Sequence, residues 1–374
     1  MGNRVFEHRY LWTWDHSTNW DLGQPGKQEE GCNNPYLKPP AAFLSDYRML
    51  IDFASSLGIN GVIIWGFLRD SHGGEEAARE ICDYARERGV RILAGVGVLS
   101  YGGIFYQGRN EYCMESWLGK HPELSAVDGD GRPYGWQMGP GGPRMQVLCP
   151  SREENLEWCM EGVRWLAENF EIGGINYESG DYGICHCKRC RARKQSGINV
   201  LSPDRVSEEI NVSFDLMAKV YPPLMDAAHD LRPDLCQVFS PYCGFRWDMS
   251  GSLGRLLDVI PEYAICQWTL THMLSGSFGF SWDEDLVFPA KHSIGYLHQG
   301  TQWFDDVEGK PSQGRHALIV DTIRRAARLG YGSGLEGLVI HGEVSGSDPN
   351  WSRNYRAFSR CCRAPMGDGL GDCL

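Results

Sequence analysis

Residues 58–70 read GINGVIIWGFLRD. A glycine stop, an apolar run from Ile59 to Trp65 and a polar cluster, Trp65-Gly66-Phe67-Leu68-Arg69-Asp70, follow directly on one another. The stretch before them is helical in pattern. Phe43, Leu44, Tyr47, Leu50, Ile51 and Ala54 recur at helical spacing between Ala42 and Leu57, and Gly58 stands where a C-cap belongs. After the cluster a second helical stretch, Glu75 to Arg88, is closed by Gly89 and leads into the next apolar run, Val90 to Val98. The same strand-then-helix unit recurs outward in both directions. Apolar runs end near Trp14, Trp65, Val98, Tyr177, Phe239, Trp268, Leu297 and Ile340. Runs alternating with helices give parallel strands, and this rhythm predicts an α/β fold of the (β/α)8 TIM type. Such a barrel gathers its chemistry at the C-terminal ends of its strands.

The composition agrees with one large globular unit. The chain has 374 residues, 42% apolar and 22% charged. We read residues 1–360 as a single barrel and 361–374 as an atypical tail, a truncation or run-off in which the helical pattern collapses. A net charge of −12 argues against nucleic acid as partner, because phosphate binding calls for a basic face. No apolar run approaches the ~18 residues that suggest a membrane span. Fourteen cysteines in so long a chain do not describe a disulfide-stapled mini-protein. Cys159 and Cys266 sit among apolar neighbours as buried thiols. Reduced cysteine predicts a cytoplasmic protein, with a secreted parent left open.

One connection is unusually long. Leu99 to Pro150, after strand three, is rich in Gly, Tyr and Trp, and loops of this length are usually functional. It is expected to fold over the cup. Ser151, with Glu154 three residues on, predicts a capping box opening a helix that runs to Phe170. A long helix over Pro203–Leu231 is expected to break or kink at Pro222-Pro223.

The strand ends carry the candidate chemistry. Asp15 follows strand one, among His16, Asn19 and two tryptophans, where a carboxylate can activate water. Glu178 ends strand four with Asp181 close behind, and Glu343 ends strand eight. Paired carboxylates at barrel strand ends are the usual machinery of sugar cleavage. Tyr177 and Glu178 are neighbours in sequence and must face opposite sides of a strand. His121, in the long insertion, can donate a proton near neutral pH. Arg69 can bind a substrate carboxylate bidentately, and Arg109 is a weaker loop candidate. Trp65, Gln267 and Trp268 complete the candidate sugar-binding set. The run Cys185-His186-Cys187-Lys188-Arg189-Cys190 can supply three thiolates to a structural zinc, with His186 or a distant residue as the fourth ligand. No cofactor is expected for catalysis.

The motifs Trp14-Asp15-His16-Ser17-Thr18-Asn19-Trp20, Trp65-Gly66-Phe67-Leu68-Arg69-Asp70 and Lys120-His121-Pro122-Glu123 resemble barrel glycoside hydrolases. Among these the chain is most similar to the inverting exo-sialidases of glycoside hydrolase family 156. The resemblance covers the barrel. It implies a (β/α)8 enzyme, often a homodimer, that releases terminal sialic acid from sialoglycans with inversion. Asp15 would then be the base that activates water and His121 the acid. Two other readings stay open on the residues: a retaining glycosidase for neutral or uronic sugars using Glu178 and Glu343, and a sugar-binding barrel without catalysis.

Overall fold

A computed structural model describes residues 5–15, 18–19, 38–133, 135–137, 144–178, 185–192, 197–198, 206–207, 214–241, 252–270, 273–274, 282, 286–297, 318–341, 344–345 and 350–367. Eight parallel strands close into a barrel: β1 (His8–Trp14), β2 (Gly61–Trp65), β3 (Arg91–Gly97), β4 (Gly174–Glu178), β5 (Cys236–Phe239), β6 (Ile265–Thr269), β7 (His292–Leu297) and β8 (Gly337–His341). Each pairs with its neighbours in sequence, and β1 meets both β2 and β8. Helices α1 (Pro40–Leu57), α2 (Gly74–Glu87), α3 (Met114–Lys120), α4 (Glu153–Asn169), α5 (Lys188–Ala192), α6 (Phe214–His229), α7 (Ser252–Val259), α8 (Val320–Gly332) and α9 (Asn350–Arg363) lie between or after the strands. This is the (β/α)8 architecture that the repeating pattern predicts. Among the described residues, no helix is long and apolar enough to cross a membrane.

Local chemistry sets the helix ends. Pro40 opens α1, where its missing N–H costs nothing. Gly58 closes it at φ 68°, donating its N–H to Ser55 O at 3.0 Å. Pro222 and Pro223 lie inside α6. The expected capping box of α4 does not form. Arg152 holds the N-cap position without a side-chain cap, and the Ser151 hydroxyl lies 3.0 Å from the sulfur of Cys190 instead.

Alternation along each strand divides the core in two. Outward side chains join the helices in one large apolar layer. Inward side chains form a second cluster: Tyr10, Trp12 and Trp14 of β1, Ile63 and Trp65 of β2, Leu93, Val238, Ile265, Ile294, Tyr296 and Val339. Rings dominate it. Trp12 stacks on Trp65 at 6.1 Å and meets Trp14 edge-on at 5.2 Å. Such volume inside a barrel demands gaps opposite it, and Gly95 supplies one. A Cβ at Gly95 would stand 2.6 Å from the Trp65 indole.

Residues between β3 and α4 carry structure of their own. They include α3, a 3-10 turn (Pro122–Leu124) and an antiparallel pair, Gly135–Gln137 with Arg144–Gln146. The turn after β3 is tight. Leu99 and Tyr101 both adopt positive φ, 67° and 51°, and Gly97 N–H reaches Gly103 O at 3.1 Å. Ile104, Phe105, Met114 and Leu118 are buried and anchor the segment to the outer core.

The expected boundary at residue 360 needs correction. α9 continues to Arg363, Cys361 and Cys362 are buried, and Phe6 N–H bonds Cys362 O at 3.0 Å. The Cys361-Cys362 pair ends a packed helix, because its apolar face is covered by the N-terminal strand's approach. Residues 368–374 lie outside the described set. Cys159 and Cys266 are fully buried free thiols, as expected.

Adding one methyl group at Gly95 is expected to lower stability by about 1–3 kcal/mol through overpacking. Urea unfolding of Gly95→Ala, followed by tryptophan fluorescence, measures it. A midpoint equal to that of the parent protein would show that the indole has room to move.

Candidate active site

The inward row of side chains turns polar toward the C-terminal end of the barrel. On β4, Asn176 accepts a hydrogen bond from the Trp65 indole N–H at 3.0 Å, which fixes it as inward-facing. Glu178, two residues on, shares that face and is 3% exposed. Across the barrel, Gln267 of β6 donates to the Ser240 hydroxyl just after β5 at 2.8 Å. Tyr296 of β7 lies 3.1 Å from Nδ1 of His341 on β8, and the His341 ring packs 4.6 Å from Trp12. Tyr101, from the turn after β3, stands edge-on to both Trp14 and Trp65. A carboxylate, two amides, a hydroxyl, an imidazole and aromatic rings thus line one end.

Two of these groups have hydrogen-bonding capacity to spare. Among the described residues, Asn176 Nδ2 and Gln267 Oε1 are buried with no hydrogen-bond partner. An unmet buried polar atom costs about 1–3 kcal/mol, so a fold keeps such atoms where a ligand or ordered water satisfies them.

Tyr177 points the other way. Its hydroxyl donates to Gln237 Oε1 at 2.8 Å, and its ring faces Tyr221 of α6. Burial pushes its phenol well above the ordinary tyrosine value. It is a neutral structural donor, and the adjacent Tyr177-Glu178 cannot act as a nucleophile and base on one substrate.

Several expected site residues stand elsewhere. Asp15 extends β1 by one residue, its N–H bonded to Trp65 O at 2.8 Å, and is fully buried. Its carboxylate takes a hydrogen bond of 2.6 Å from Arg69 Nε and a second of 3.4 Å from Nη2. His72 Nδ1 lies 3.1 Å away, its ring stacked on Phe43 of α1. Gly66 closes over the carboxylate, where a Cβ would come within 2.3 Å. Asp15 therefore sits in a buried ion pair between the ends of β1 and β2. Arg69 is equally committed: Nη1 donates to Gln107 Oε1 at 2.5 Å and the guanidinium lies over the Tyr106 ring at 4.6 Å.

The other corrections have equally simple causes. His121 is 41% exposed, stacks on Trp117 at 4.2 Å, and closes α3 through its own N–H. Trp117 in turn donates to Asn155 of α4, so His121 belongs to the outer layer and not to the cup. Arg109 is exposed, holding Asp70 through its backbone N–H at 2.8 Å. Trp268 faces outward by strand parity, donates to Ser293 Oγ at 3.1 Å and packs on Phe288. Trp65 is inward but fully buried, a support beneath the cup. His16, Asp181 and Glu343 lie outside the described residues, as does the side chain of Asn19. The backbone at Thr18–Asn19 pairs in parallel with Val344–Ser345, which ties the loops after β1 and β8 together.

Sequence reasoning missed Ser240 and Tyr296 as lining residues. Strand parity could have found both, since each keeps step with an inward apolar residue: Val238 and Ile294. The cysteine run gains a fourth member, for Cys149 lies beside Cys185, Cys187 and Cys190.

No family model and no curated protein matches the chain. Solved structures do. A GH138 enzyme targeting pectin rhamnogalacturonan II superposes with a TM-score of 0.52 at 10% identity, over 98% of this chain and 40% of the other. The O-GlcNAc hydrolase of Thermobaculum terrenum gives 0.52 at 10% identity, over 98% and 61%. α-L-Fucosidase isoenzyme 2 from Paenibacillus thiaminolyticus gives 0.52 at 14% identity, over 95% and 49%. The chain thus spans 40% to 61% of the length of these relatives. At such identities the likeness establishes the barrel fold that these glycoside hydrolases share.

Replacing Asp15 by Asn is expected to lower folding stability by about 3–5 kcal/mol, because the buried guanidinium loses its counter-charge. Thermal and urea unfolding test this. A variant of unchanged stability that had lost only turnover would restore Asp15 as a general base.

Proposed function

We propose that this chain is a glycoside hydrolase whose principal acid–base group is Glu178. The observation that carries the reading is the inward carboxylate at the end of β4, at the same end of the barrel as two amides whose buried Nδ2 and Oε1 atoms have no partner among the described residues. Sugar hydroxyls are both donors and acceptors, and they match an Asn and a Gln with one free atom of each kind. Trp14 and Tyr101 offer ring faces for the apolar side of a pyranose. The barrel neighbours, all described as glycoside hydrolases among the three given above, support the same class.

The chemistry needs a second carboxylate across the cup. Glu343 follows His341 by two residues at the end of β8 and is assigned that part. One of the two would then attack and the other protonate, and His341, which lies 3.1 Å from the Tyr296 hydroxyl, would hold a substrate hydroxyl. Among the described residues, the inward set at this end includes no arginine or lysine. Arg69, the cation that a sialic acid carboxylate would require, is turned to Asp15. These observations favour a neutral sugar as substrate over one that carries a carboxylate. Release of sialic acid with Asp15 and His121 as base and acid is the finer reading carried by the resemblance alone.

A panel of chromogenic glycosides, with a sialoside among them, decides between these. The expected result is turnover of a neutral glycoside and a loss of about 10²–10⁴-fold in kcat for Glu178→Gln at unchanged unfolding midpoint. Turnover of the sialoside alone, undiminished in Glu178→Gln, would overturn the assignment. Saturable glycan binding without any turnover would mark the barrel as a binding module.

A further inference from the structure

Four cysteines converge outside the barrel cup. Cys149 comes from the segment that precedes α4. Cys185, Cys187 and Cys190 come from the stretch that begins seven residues after Glu178. Their sulfur atoms all lie within 4.8 Å of one another. From Cys149 the separations are 3.5 Å to Cys185, 3.7 Å to Cys187 and 3.7 Å to Cys190. All four are free thiols, and these separations exceed the ~2.05 Å of a sulfur–sulfur bond. A tetrahedral metal with bonds of about 2.3 Å places its sulfurs about 3.8 Å apart. The observed spacing is that of four thiolates sharing one tetrahedral centre.

The surroundings suit thiolates. Val127 N–H points at Cys185 Sγ at 3.5 Å, and Cys190 N–H points at Cys187 Sγ at 3.4 Å. The Ser151 hydroxyl, freed from helix capping, lies 3.0 Å from Cys190 Sγ. These donors approach sulfur, which accepts well only when it carries charge. Four thiolates around a divalent ion leave two net negative charges, and α5 brings Lys188, Arg189 and Arg191 beside them. Cys149 and Cys185 are buried and the other two half-buried, so no coordination position faces open solvent.

We infer that Cys149, Cys185, Cys187 and Cys190 form a closed, structural zinc site that pins the segment following Glu178 to the long segment between β3 and α4. Two long connections meet there, both rising from strands that flank the proposed acid–base residue. His186, expected as a candidate fourth ligand, is displaced from that role by Cys149. Its N–H bonds Val127 O at 2.7 Å, which brings the two segments together at the backbone as well. The four sulfurs satisfy zinc and leave nothing for a substrate, so the site acts on shape and not on the reaction.

Elemental analysis of the full chain, purified without added metal, is expected to find one zinc per chain. The chain stripped by chelator and titrated with cobalt(II) alone is expected to show the intense visible bands of tetrahedral cobalt thiolate, saturating at one equivalent. Cys149→Ser is expected to abolish the zinc, whereas Cys159→Ser, at a buried thiol elsewhere, is expected to retain it. If Cys149→Ser is insoluble, the cobalt spectrum of the parent chain decides alone. Iron in place of zinc, octahedral cobalt bands or no saturable cobalt binding would each overturn the inference. The proposed glycosidase can fail with this site intact, since metal content and cobalt spectra are read without any substrate.

Discussion

Closing eight parallel strands forces every second side chain into a space with no solvent, and here that space is filled with rings. Trp12, Trp14 and Trp65, with Tyr10 and Tyr296, occupy most of the barrel interior. A plug of this size works only if the facing strands give way. Gly61 makes room for Tyr10 and Gly95 for Trp65. The rings also carry polar handles at their edges, and buried indole and phenol groups seek partners. The Trp65 N–H meets Asn176 and the Tyr296 hydroxyl meets His341. The packing of the interior thus orients the polar groups above it, and the cup inherits its geometry from the plug.

The rim is built on a different interaction. Asp15 with Arg69, and Lys38 with Asp46, are ion pairs removed from water. Such pairs contribute little net stability against an apolar replacement, but the loss of one partner is costly. They tie the end of β1 and the opening of α1 to their neighbours. Arg69 extends the first pair to Gln107 and Tyr106, beyond β3. The cysteine cluster repeats this arrangement on the far side of β3 and β4. In both places residues distant in sequence help to hold loops above the barrel.

The site was legible in part, and the division follows strand parity. The inward place of Glu178 is legible because it ends an apolar run and keeps step with Asn176. Trp268 failed because a residue at a strand end faces the cup or the helix layer according to one step of register. Asp15 and Arg69 were correctly seen as strand-end charges, but their mutual ion pair is a contact across 54 residues that no local pattern displays. His121 belonged to a motif, yet its ring packs on Trp117 one turn of helix earlier, a local contact that removes it to the outer surface.

The sequence by itself determined the barrel, the order of its strands and the ends of α1 and α2 to within a residue or two. Those depend on periodicity, on glycine and proline stops, and on apolar runs, all of which are local. It also determined that three cysteines stand close together between Glu178 and α6. Tertiary structure alone decided which charged groups neutralise each other, which ring faces the cup, and that Cys149 joins the other three thiols from 36 residues away. These outcomes depend on distances between segments far apart in the chain, and such distances exist only once the barrel has closed.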